Sequence, residues 1–67
     1  MNATQMAMRK FLKQFGVTAN QELADALAKA VADGKLQPGA SVPVTARIEV
    51  ADLAFIHDVT ANLVAPE

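Results

Sequence analysis

The apolar positions of this 67-residue chain change period once, near residue 40. Met8, Phe11, Leu12 and Phe15 fall at i, i+3, i+4 and i+7, one face of a helix. Arg9, Lys10 and Lys13 cluster on the opposite side, with Met6 among them. Asn2 or Thr4 can cap the start, and Gly16 suits the residue just past a helix end. Thr18-Ala-Asn-Gln21 reads as a capping box opening a second helix. Leu23, Leu27, Ala30 and Val31 form that helix's apolar stripe, with Glu22, Asp25, Lys29 and Asp33 on the wet side. Gly34 ends it. The pattern predicts helices over about 3–15 and 19–33.

Gln37-Pro-Gly-Ala40 suits a type II turn, with proline and glycine at its centre. Beyond it the period falls to two. Val42, Val44, Ala46, Ile48 and Val50 alternate with polar residues, and Leu53, Phe55, His57, Val59, Ala61 and Leu63 form a second alternating set. The predicted strands are about 41–50 and 53–64, joined at Ala51-Asp52. A two-residue loop pairs Val50 with Leu53, Ile48 with Phe55 and Ala46 with His57; a four-residue loop over the same centre keeps that register. A three-residue loop would turn one apolar face outward. Ala51-Asp52 is a poor primed turn, so the loop type is less determined than the register.

The expected fold is α+β, one domain over 1–67, with two N-terminal helices packed on a C-terminal antiparallel hairpin. A lone two-stranded sheet is marginal, and its edges invite further pairing. Pro43 blunts the first strand, whereas the second carries neither proline nor lysine. The reading is a two-fold dimer in which strand 53–64 pairs with its symmetry mate; dimerisation through helix packing is the alternative.

Composition narrows the chemistry. There is no cysteine and one histidine, so disulfides, thiolate sites and a single-chain His-rich zinc site are excluded. Six basic and seven acidic residues leave a net charge of −1, too little field to gather nucleic acid or an anionic membrane. No apolar run approaches the roughly 18 residues of a transmembrane helix. No signal-peptide pattern is visible at Met1-Asn-Ala-Thr-Gln, so the expected location is cytoplasmic.

Phe11 to Leu27 also has the outline of a DNA-binding helix-turn-helix, with the hairpin as a wing. Its chemistry points elsewhere. The reading helix would offer Asn20, Gln21, Glu22 and Asp25 to the groove, and its one lysine, Lys29, lies toward the far end. A C-cap followed by an N-cap accounts for the same residues. The basic cluster Arg9, Lys10 and Lys13 is either a solvated face or, with Met6, a contact for an anionic partner. His57 shares a face with Leu53, Phe55 and Val59, where a core or interface histidine is the plain reading and a pH switch or half of a two-His metal site the sharper one. Asp58 adjoins it but points to the other face, near Arg47. There is no nucleophile elbow, phosphate loop or cysteine nucleophile. No catalytic residue, cofactor or metal is expected.

Met8-Arg9-Lys10-Phe11-Leu12-Lys13, Gly16-Val17-Thr18 and the helix exit Gly34-Lys35-Leu36 resemble a family of small uncharacterised bacterial proteins. The resemblance implies a similar length, a strand pair after the helices and a histidine near position 57. It implies a fold and no activity. The expected function is a small non-enzymatic protein-interaction module, dimeric through strand 53–64 and offering Met6, Arg9, Lys10 and Lys13 to an unknown protein partner; the alternative is a small winged helix-turn-helix DNA binder.

Overall fold

Asn2 starts the first element, its side-chain oxygen accepting from the Gln5 backbone N–H at 2.8 Å. The structure, a computed structural model, describes residues 2–67. One helix, α1, then runs without interruption from Ala3 to Ala32. This corrects the expectation of two helices. Thr18 does not cap a new start; its hydroxyl donates back to the Gln14 carbonyl at 3.0 Å and the Phe15 carbonyl at 3.3 Å. That is how a threonine behaves inside a helix. Gly16 lies mid-helix and has no positive φ. A mid-helix glycine costs about 1 kcal/mol against alanine, a small penalty in a helix otherwise rich in alanine and other good helix formers. Met8, Phe11, Leu12, Phe15, Ala19 and Leu23 recur at steps of three and four across Gly16, and the apolar face then turns toward Leu27, Ala30 and Val31, which are half-buried like Ala19.

The helix ends where expected. Gly34, at φ 77°, donates to the Val31 carbonyl, and Lys35 donates to the Ala30 carbonyl. This pair of bonds is the Schellman closure that a left-handed glycine permits. The chain reverses at Gln37–Ala40, where the Ala40 N–H reaches the Gln37 carbonyl at 3.1 Å and Gly39 takes φ 77°.

Strands β1 (Ser41–Val50) and β2 (Phe55–Val64) form a two-stranded antiparallel sheet. The register places Val50 opposite Phe55, Ile48 opposite His57 and Ala46 opposite Val59. The expected pairing was two residues off along β2. The cause is the tip: Ala51–Leu53 form a 3-10 turn and Ala54 closes it in the left-handed region at φ 49°. A four-residue loop centred one position later shifts the partner by an even number, so both apolar faces stay on the same side. Arg47 thus lies directly opposite Asp58 and bonds it twice, at 2.8 and 3.2 Å.

The helix and hairpin form two thin layers. Thirty helical residues rise about 45 Å and ten strand residues about 33 Å, so the hairpin folds back along most of the helix. The Cα extents are 46 × 22 × 15 Å. The tail is fastened at the base, where Ala65 donates to Ala40 at 2.8 Å and accepts from Gly39 at 3.1 Å. Ala65 is the only buried residue among those described. The inward residues of β1, Val42, Val44, Ala46 and Ile48, are half-buried beneath the helix. On β2 the inward Phe55, His57, Val59 and Ala61 are exposed, and only Leu63 at the base is half-buried. The helix therefore shields β1 and leaves the inner face of β2 bare.

Candidate interaction site

Two surfaces carry the residues singled out from the sequence. The first is the outer face of α1. Met6, Lys10, Lys13 and Val17 follow one another at steps of three and four, with Arg9 alongside. Met6 and Val17 are each 59% exposed, and Arg9, Lys10 and Lys13 are exposed too. Among the described residues the ion pairs are Lys29–Asp33 at 2.7 Å and Arg47 with Asp58 and Glu49; none involves Arg9, Lys10 or Lys13. Residues 3–18 of the helix hold three cations and no acid, while residues 19–32 and the C-cap Asp33 hold Glu22, Asp25 and Asp33 against Lys29. The helix is thus basic in its first half and acidic in its second. Val17 belongs to the outer strip and was not foreseen, because the assumed turn at Gly16 removed it from any helix face.

The second surface is the cleft between the first half of α1 and the hairpin tip. It encloses about 340 Å³ and is lined by Met8, Phe11, Leu12, Ile48, Val50, Phe55 and His57. Its walls are half open: Phe11 is 54% and Phe55 50% exposed. Phe11 stacks on Phe15, which lies one turn along the helix, with ring centroids 6.4 Å apart. His57 enters this cleft through the shifted register, facing Ile48 and not Ala46. It is exposed, so it is not a core histidine of the single chain. No carboxylate lines the cleft with it. A second hollow of about 350 Å³ at the base is lined by Asn20, Leu23, Ala24 and Leu27 of the helix and by Leu63, Val64 and Pro66. These helix residues mark the side of α1 that faces the β2 margin.

A metal has no evident seat: among the described residues no three His, Cys, Asp or Glu side chains converge. The guanidinium of Arg47 is held even more firmly charged by its bonds to Asp58, a structural pairing on the wet face of the sheet. A helix-turn-helix needs two helices crossing at a turn, and α1 is continuous, so that motif is not formed. No helix among the described residues is long and apolar enough to cross a membrane.

Residues 1–66 match a single family along nearly the whole chain. The chain belongs to DUF6494, a family of unknown function. No curated protein and no solved structure matches it. Membership in DUF6494 agrees with the resemblance drawn from the Met8–Lys13, Gly16–Thr18 and Gly34–Leu36 segments. It adds no activity, so the functional reading rests on the two surfaces.

Proposed function

We propose that the chain is a non-enzymatic, cytoplasmic protein-interaction module whose working unit is a two-fold dimer joined along β2. The observation that carries this is the bare inner face of β2, with Phe55, His57, Val59 and Ala61 uncovered beside an unpaired strand edge. Surface area supports it. The chain exposes 5656 Å² for a mass of 7.1 kDa. A compact monomer of that mass exposes about 4,100 Å². The excess of about 1,500 Å² per chain exceeds the roughly 800 Å² that each partner gives to an ordinary interface. A chain with no disulfide and one buried residue among those described has few other sources of stability.

The outer strip of Met6, Arg9, Lys10 and Lys13, extended by Val17, is the surface such a dimer offers to another protein. Unpaired cations flanked by exposed apolar side chains suit an acidic, amphipathic segment. Light scattering tests the dimer: a monomer mass at micromolar concentration would remove it. A pull-down comparing wild type with Arg9→Glu/Lys13→Glu tests the strip. Recovery of the same proteins by both would show that the strip is not the binding surface.

A further inference from the structure

Resting on the dimer reading, the geometry points to a specific arrangement: we propose that a second copy of this chain closes the bare face of β2 by laying its helix antiparallel beside α1. The two helices form one layer over a four-stranded sheet of order β1-β2-β2-β1.

Strand parity restricts the pairing. Residues opposite each other in an antiparallel ladder share a face, so the two copies keep both apolar faces on one side only if opposed positions are both odd or both even. A two-fold axis at Val59 meets this condition and sets Phe55 against Leu63 and His57 against Ala61 of the mate. In such a sheet the outer strands stand about 14 Å apart, three strand spacings. The half-burial of the inner residues of β1, against the exposure of those of β2, sets each helix nearer its own β1. Packed helices are 8–10 Å apart, so a lean of about 2–3 Å by each helix toward the axis brings them into contact. That lean carries both helices over the exposed Phe55, His57, Val59 and Ala61. It also covers the tip cleft and the base hollow, each lined in part by β2.

Charge favours the same arrangement. The helix carries three cations and no acid in residues 3–18, and, with its C-cap Asp33, three acids and one cation in residues 19–33. Antiparallel neighbours set a basic half beside an acidic half. Parallel neighbours would set three cations beside three within a Debye length. The helix dipoles add in the same direction. An ordinary protein partner could also cover an apolar face, but a two-fold mate alone supplies the matching strand edge, the matching helix length and the complementary charge order together.

The chain has no cysteine, so single cysteines can carry spin labels without background. Val17→Cys sits at the helix midpoint and Gln5→Cys near its start, both on exposed positions. In the antiparallel pair the Val17 labels lie within about 20 Å of each other, while the Gln5 labels, each about 19 Å from the midpoint, are separated by about 40 Å. Dipolar electron resonance on the intact dimer reads both. Two short distances would mean parallel helices. Two long ones would mean helices on opposite faces or out of contact. Either result overturns this arrangement while leaving the dimer standing. A monomer mass for the labelled chains and for wild type removes the dimer and the arrangement with it.

Discussion

The Thr18 hydroxyl donates to the carbonyl of Gln14, one helical turn back, at 3.0 Å. A side chain capping a new helix would instead accept from an amide ahead of it. This bond marks the point at which two expected helices are one. It also turns Gly16 from a terminator into an interior residue. Beyond the helix's own nearby backbone, a Cβ at Gly16 meets nothing within 4 Å, and its φ is not positive. Gly16→Ala should therefore raise stability by about 0.5–1 kcal/mol per chain, read by thermal or urea melts followed by circular dichroism. A loss of similar size would restore the turn at that position.

Gly34 gives the opposite expectation. It holds φ 77° at the helix end, where an alanine is strained although space is free. Gly34→Ala should destabilise by about 1 kcal/mol or more, seen in the same melts. An unchanged midpoint would mean that the Schellman closure is not kept in solution.

Val59 projects from the uncovered inner face of β2, at 52% exposure. A carboxylate there is tolerated by a monomer and not by a closed seam. Val59→Glu should weaken association by at least tenfold, with little change in far-ultraviolet dichroism at high protein concentration. Sedimentation across a concentration series checks this, and an unaltered dissociation constant would place the interface elsewhere.

His57 stands among apolar neighbours that the seam would enclose. The groups lining its cleft are Met8, Phe11, Leu12, Ile48, Val50 and Phe55, none of them charged. Asp58 and its partner Arg47 lie on the other face of the sheet. An imidazole enclosed there loses water without gaining a polar partner. His57→Leu should therefore tighten association, read by sedimentation across a concentration series. An unaltered or weakened association would show that His57 stays wet.

Much of this molecule is readable from local chemistry. The type II turn at Pro38-Gly39, the glycine end at Gly34 and the face alternation of the strands each follow from a residue's own conformational limits. The errors arise where two local signals compete. Gly16 and Thr18 both favour a break, and the stripe from Phe15 to Ala19 to Leu23 favours continuation. Continuation won over the local cap, and a count of apolar positions across Gly16 is the signal that points to it. At the hairpin tip, Ala54 adopts a left-handed backbone that alanine seldom takes, so its role could not be inferred from its identity. The cleft at His57 depended on that same two-residue slip. The basic strip was legible as far as Lys13 and was truncated at Val17 by the assumed break.

Pro43 bears on what would happen after two copies meet. A sheet that recruits a mate along β2 still has β1 on each flank, and a further strand added there would start a ribbon without end. Pro43 offers no amide hydrogen to a newcomer, and the charged Arg47 and Glu49 stand along the same strand. Recruitment is thereby open on one side of each hairpin and obstructed on the other. A pairing of copies along β2 would then stop at two, whereas a proline moved to β2 would leave the growing edge on β1 and favour a fibre.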